Sequence, residues 1–221
     1  KARSLGVPAV VLTFEPHPRT VFRPQSPVFR LTPLEAKLRL FAALGMDGVI
    51  VIPFNRDFAT HSAESFVADE LVERLAVRAA VVGYDFHFGK NRVGSPEFLR
   101  DAGDRLGFEV DVIEPVSDEI AIVSSSRIRA HLESGEVAEA NRLLGYRWFV
   151  VEEVVGGDRR GRELGFPTAN LRLGADCRLR HGIYAVRLRR ADGSDFDGVA
   201  SFGRRPTFGD GEPLLEVHIL D

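Results

Sequence analysis

Thr168 and Asn170 stand two residues apart at the start of an apparent strand, so a hydroxyl and an amide oxygen share one face. Oxygens so placed suit a hard cation such as Mg²⁺, which takes few protein ligands and leaves its other positions to phosphate and water. The run leading into them is Gly161-Arg162-Glu163-Leu164-Gly165-Phe166-Pro167. Gly161 and Gly165 lack a Cβ and admit close approach of the backbone to a ligand, while Pro167 fixes its own φ and pushes Phe166 toward an extended conformation. The chemistry suggested is a phosphate and metal site for a small-molecule kinase; a β-turn followed by a polar strand edge is the plainer alternative. A second candidate is Glu216, in Leu215-Glu216-Val217-His218. Strand alternation puts Glu216 and His218 on one face and Leu215 and Val217 on the other. Glu216 is therefore either a base or an exposed residue of a half-buried strand.

Anion chemistry is also written into Val123-Ser124-Ser125-Ser126-Arg127-Ile128-Arg129. Serines at a helix start cap free N–H groups, and those groups with the helix dipole favour an anion. Arg129, one turn in, could add a charge-assisted contact to phosphate. An ordinary capped surface helix has the same composition. Two loops complete the set. Thr13 to Pro18 (TFEPHP) leaves the end of an apolar strand, where open α/β sheets bind ligands, and Val82 to Gly94 (VGYDFHFGKNRVG) leaves a later strand in the same way.

The elements that must position these residues fall into two rhythms. From Val7 to about Gly145, strands (7–14, 48–54, 79–86, 107–115) alternate with helices opening near Thr32, Ser62 and Ser95. That pattern predicts βαβ units and a parallel sheet. Beyond Tyr146 come short strands with Gly- and Asp-rich turns: WFVVEEVVGG, TANLRL, GIYAVRLRR, FDGVASFG and LLEVHIL. These predict an all-β half, for which a small barrel is the natural closure. The expected boundary divides residues 1–145 from 146–221.

Composition narrows the classes. A chain of 221 residues with 44% hydrophobic and 28% charged residues fits a soluble globular protein of one large or two modest domains. The net charge of -3 gives no electrostatic footprint for nucleic acid. The single cysteine, Cys177, rules out an internal disulfide and fits a reducing, cytoplasmic compartment. No apolar run is long enough to span a membrane. The chain begins at Lys1 and stops at Asp221 directly after a strand, which reads as a fragment of something longer.

The run GRELGFPTANL closely resembles the hallmark of riboflavin kinases, including the kinase half of bacterial bifunctional riboflavin kinase/FAD synthetases. SSSRIR is similar to the SSTxIR motif of nucleotidylyltransferases, with Ser126 where Thr is usual; TFEPHP and VGYDFHFG resemble the FAD synthetase module. The resemblance implies a Rossmann-like α/β nucleotidylyltransferase domain followed by an all-β six-stranded Greek-key barrel, the first lacking its N-terminal part and the second its C-terminal part. It implies two reactions: ATP plus riboflavin giving FMN, and ATP plus FMN giving FAD and pyrophosphate, both with Mg²⁺. By the same resemblance Glu216 accepts the proton of the ribityl 5′-hydroxyl, and Thr168 and Asn170 hold the metal and ATP with Gly161, Gly165 and Pro167. Ser125, Ser126, Arg129 and Asp85 serve ATP in the α/β half. Pro16, His17, Pro18, Phe86, Phe88, Thr207 and Phe208 border flavin. His17 reads as more structural than catalytic between its two prolines, and Phe86 and Phe88 could stack on an isoalloxazine ring or fill core.

Two departures stand out. The HxGH histidines, which stabilise the transferring α-phosphate in that family, are absent from this chain. Ser201 lies two before Gly203 where the family commonly has Asn. A monofunctional riboflavin kinase with an inactive α/β domain, or a non-catalytic flavin or nucleotide carrier, are the competing expectations.

Overall fold

The structure is a computed structural model that describes residues 1–156, 168–204 and 213–220. The chain divides into two units: residues 1–28 with 37–123, and residues 29–36 with 124–221. The first unit is thus interrupted by eight residues that belong to the second.

In the first unit β1 (Val10–Glu15) and β2 (Gly48–Pro53) pair in parallel, with Leu12 opposite Ile50 and Glu15 opposite Pro53. Before them lies α1 (Ala2–Leu5), and between them α2 (Pro18–Phe22) and α3 (Leu34–Ala43). A second parallel pair joins β3 (Ala79–Gly83) to β4 (Glu109–Ile113), with α5 (Pro96–Leu106) between them. The alternation of apolar strand and helix has therefore produced parallel βαβ units, but as two separate two-stranded pairs among the described residues and not the one parallel sheet expected. β3 ends at Gly83 rather than at Phe86. The N–H of Tyr84 still bonds to Ile113, but that of Phe86 turns back onto the Gly83 carbonyl at 3.1 Å and closes a turn.

Helix α4 (Ala63–Ser65, continued as a π-helical stretch Phe66–Arg74) starts at a Ser62 cap whose hydroxyl accepts the Ser65 N–H at 3.1 Å. Its buried side, Phe66, Val67 and Leu71, packs with Phe88, Leu99, Ala102 and Phe108 to form the core of this unit. Leu12 and Phe14 of β1 and Val82 of β3 press against that cluster. Gly89 has φ +71, and a Cβ built there would lie 2.6 Å from the Ala63 nitrogen. Both the backbone conformation and the space exclude a side chain. Gly89→Ala is accordingly expected to destabilise the protein by about 1–3 kcal/mol, read as a lowered midpoint in urea unfolding.

The second unit contains a five-stranded antiparallel sheet in the order β5-β6-β9-β8-β7: β5 (Val154–Val155), β6 (Thr168–Leu171), β7 (Gly182–Arg189), β8 (Asp195–Gly203) and β9 (Leu214–Ile219). On one face Ala200, Phe202, Leu215 and Val217 are buried. The long first strand expected over WFVVEEVVGG shrinks to two residues among those described. The N–H of Trp148 is bonded to the Asn141 side chain at 2.7 Å, and its indole N–H to the Leu31 carbonyl at 2.8 Å, so this stretch opens on side-chain anchors rather than a ladder. Helices α6 (Ser125–Ser134) and α7 (Val137–Leu144) complete the unit and bury Ile128, Leu132, Ala140 and Leu143.

The segment 29–36 is fixed within this second unit at three points. Arg129 Nε donates to the Phe29 carbonyl at 2.6 Å; Trp148 holds Leu31 and meets the Phe29 ring edge-on at 6.1 Å; and Arg30 grips Asp176 through backbone and guanidinium bonds of 2.9, 3.0 and 3.3 Å. Burial alone would raise the Asp176 carboxyl, but the hydrogen bonds and charge of Arg30 outweigh it and hold the carboxyl below its ordinary 3.8. A depressed folded-state value means that this anchor stabilises the fold fully above 3.8 and is lost as pH falls below it. Asp176→Asn should melt lower than the parent at neutral pH, and thermal melts in acid should show the two converging.

Candidate functional site

The five-stranded antiparallel sheet brings the two sequence candidates together. Asn170 of β6 lies directly opposite Glu216 of β9, and Glu216 in turn lies opposite Ser201 of β8. Thr168 and His218 form the next pair on the same face, since residues paired across an antiparallel ladder point the same way. Leu215 and Val217 are 8% and 3% exposed while Glu216 and His218 are half-buried, so the alternation read from the sequence is present in the strand. One face of β9 is core, and the other carries a carboxylate flanked by an amide and a hydroxyl.

Asn170 is the unusual member. Its residue is only 6% exposed, and its Oδ1 is buried with no hydrogen-bond partner among the described residues. A buried acceptor left unpaired costs about 1–3 kcal/mol, so such an atom calls for a partner that the described residues do not provide. A hard cation coordinated by oxygen, or a donor on a ligand, would supply it. Thr168, two residues away, is exposed. Among the described residues no group of three His, Cys, Asp or Glu could hold a metal. Gly161, Gly165, Pro167, Thr207 and Phe208 lie outside the described residues.

In the other candidate site, β1 ends at Glu15 and the chain turns through Pro16, His17 and Pro18 into α2. His17 is the cap of that helix: its Nδ1 accepts the Arg19 N–H at 3.2 Å. Lys37 of α3, which no sequence motif marks, reaches back to the same strand end and donates to Thr13 Oγ1 at 3.0 Å and Glu15 Oε1 at 2.9 Å. Asp85 is exposed in the turn after β3, and its carbonyl is 2.9 Å from His87 Nδ1. Phe88 is 8% exposed in the core, 5.3 Å from Phe66, and Phe86 stacks on it at 5.2 Å with ring planes 21° apart.

The serine run is resolved residue by residue. Ser124 is the N-cap of α6, its hydroxyl accepting the Arg127 N–H at 3.3 Å. Ser125 and Ser126 are then the first helical residues and both are exposed. The sequence pattern named the motif, but three consecutive serines left open which of them caps. Arg129 points its Nε at the Phe29 carbonyl.

Two family models match the chain, one described as FAD synthetase over residues 1–127 and the other as riboflavin kinase over residues 144–221. Bifunctional riboflavin kinase/FMN adenylyltransferase of Escherichia coli K12 is 37% identical over 221 residues, covering 100% of this chain and 71% of the relative. The protein of the same name from Pseudomonas fluorescens is 40% identical over 222 residues, with the same coverage. The chain belongs to the bifunctional riboflavin kinase/FMN adenylyltransferase family. The member from Listeria monocytogenes is 40% identical over 219 residues, covering 98% of this chain and 69% of its own. A solved structure from Streptococcus pneumoniae, named a macrolide-efflux protein, superposes with a TM-score of 0.84 at 31% identity over 100% of this chain and 71% of that one. An efflux name fits neither family model, and among the described residues no helix is long and apolar enough to cross a membrane. The two-domain architecture of the riboflavin kinase/FMN adenylyltransferase family, a nucleotidyltransferase-like part followed by a kinase part, is the one observed.

Proposed function

We propose that the protein converts riboflavin to FMN with ATP at its antiparallel sheet, and FMN to FAD with release of pyrophosphate in its nucleotidyltransferase-like part. The observation that carries the first step is the pairing of Glu216 with Asn170, whose Oδ1 is buried and unpaired among the described residues. In this reading the β5–β9 sheet is part of a six-stranded Greek-key barrel, and the two parallel pairs belong to a Rossmann-like sheet. The domains run over residues 1–145 and 146–221.

Phosphoryl transfer asks the protein for little covalent chemistry; it asks for positioning and for neutralisation of charge. Asn170 and Thr168 would hold Mg²⁺ with Gly161, Gly165 and Pro167 shaping the nucleotide loop, and the ion when bound neutralises developing phosphate charge. Glu216, anchored by the buried Leu215 and Val217 on either side, presents its carboxylate one strand away from Asn170. There it accepts the proton of the 5′-hydroxyl as that oxygen attacks the γ-phosphorus of ATP and ADP leaves. Thr207 and Phe208 border the flavin.

For the adenylyl step the residues proposed to serve ATP are Ser125, Ser126, Arg129 and Asp85: the first N–H groups of α6 favour phosphate and Arg129 adds charge. Pro16, His17, Pro18, Phe86 and Phe88 bound the flavin side. The FMN phosphate attacks the α-phosphorus of ATP, the bond to the β-phosphate oxygen breaks, and pyrophosphate departs.

The test is to give the full-length protein riboflavin and Mg-ATP and to resolve riboflavin, FMN and FAD by chromatography. FMN appearing first and FAD second supports both halves. FMN alone leaves the α/β domain inactive, and no product at all rejects the reading.

A further inference from the structure

Lys37 is held in an unusual place for a lysine. Its side chain is only 18% exposed, and so is the Glu15 carboxylate it meets, at 16%. Half-buried charges are retained where they are paired, and a lysine so enclosed has given up much of its hydration for two bonds to a single strand end. Those bonds go to Thr13 and Glu15, which flank Phe14 on alternate positions of β1 and therefore share one face. Phe14 points to the other side, into the aromatic cluster with Phe54 and Phe58, each 5.7 Å away. The last turn of β1 is thus fixed on both faces, by aromatic packing on one and by Lys37 on the other. The Glu15 carbonyl adds a bond from the Phe54 N–H at 2.8 Å. Immediately beyond lies the Pro16-His17-Pro18 turn.

The electrostatics give this arrangement a purpose. A flavin phosphate and a nucleotide are anions, and the Glu15 charge, less fully offset without Lys37, would oppose their approach through a poorly hydrated medium. We propose that Lys37 is a positioning residue of adenylyl transfer: it offsets the charge of Glu15 and pins the strand end, so that the Pro16–Pro18 turn beyond it keeps the shape and charge balance that receive the FMN anion. The proposal rests on the reading that the Thr13–Pro18 stretch lines the FMN pocket.

The experiment uses the full-length protein and measures both steps in one preparation, with riboflavin-to-FMN conversion reporting that the fold is intact. Lys37→Met should raise KM for FMN about tenfold in FAD formation, with a smaller change in kcat and an unchanged kinase step. Lys37→Arg should stay within about twofold of the parent. Lys37→Met combined with Glu15→Gln should recover most of the loss, because the carboxylate to be neutralised is gone. An unchanged KM for FMN in Lys37→Met overturns the proposal, as does a parallel fall of both activities or a failure of the double variant to recover. His17→Ala separates this from the underlying reading: if it too leaves FAD formation untouched, the turn does not line the pocket and the reading itself fails.

Discussion

Glu216→Gln should abolish FMN formation from riboflavin while FMN is still converted to FAD. The substitution keeps the shape and the strand, since Leu215 and Val217 continue to fill the core on the opposite face of β9. On the proposed reading, what it removes is the proton acceptor. Positioned general bases contribute about 10²–10⁴ in rate, so a loss of that order in kcat with KM for riboflavin little changed is expected. Chromatography of the two steps in one sample separates this outcome from misfolding, because the surviving FMN-to-FAD step reports on an intact chain. A variant that retains the kinase rate would remove Glu216 from the reaction. A variant that lost both steps would mark the residue as structural.

The second large effect is at Asn170, and there the signs for stability and activity oppose each other. The Oδ1 of Asn170 is buried without a hydrogen bond among the described residues. Replacing a buried unpaired polar group by an apolar one of similar shape is neutral or favourable, because the desolvation cost of about 1–3 kcal/mol is relieved. Asn170→Leu should therefore melt at or above the temperature of the parent in the absence of nucleotide. If Asn170 holds the metal as proposed, the same variant should lose about 10² in FMN formation and require far more Mg²⁺ to reach half its residual rate. Calorimetry with and without Mg-ATP reads both signs. A variant that is destabilised yet keeps its Mg²⁺ response would show that the orphaned oxygen has only a structural role.

Much of this was legible in the residues, for identifiable reasons. The change from helix-spaced to strand-spaced apolar positions near Tyr146 predicts the change from parallel βαβ pairs to an antiparallel sheet, because each period buries its apolar residues only in its own geometry. The alternation Leu215-Glu216-Val217-His218 predicts which side of β9 is core. What a linear pattern cannot carry is register. That Asn170 stands opposite Glu216 depends on how β6 and β9 slide past each other, and these strands are more than forty residues apart in the chain. Lys37 was invisible for a similar reason, since a lysine on an amphipathic helix normally faces water and only the packing of α3 aims this one at β1. The strand expected over WFVVEEVVGG is cut back to β5, and at its start the Trp148 N–H is claimed by a side chain, a competition that strand propensity does not register.

The interruption at residues 29–36 bears on how the protein can be taken apart. Phe29, Leu31 and Ala36 are 3%, 8% and 1% exposed, and the segment's anchors, Arg129, Trp148 and Asp176, all come from beyond residue 123. A gene cut between the codons for Val123 and Ser124 would thus not yield two self-sufficient products. The upstream product would carry a greasy, unclaimed octapeptide in the middle of its sequence, prone to aggregate, and the downstream product would lack the piece that Trp148 and Asp176 are built to receive. Supplying the octapeptide in trans, or grafting it onto the downstream product by a circular permutation, is the route by which the second unit could be prepared alone.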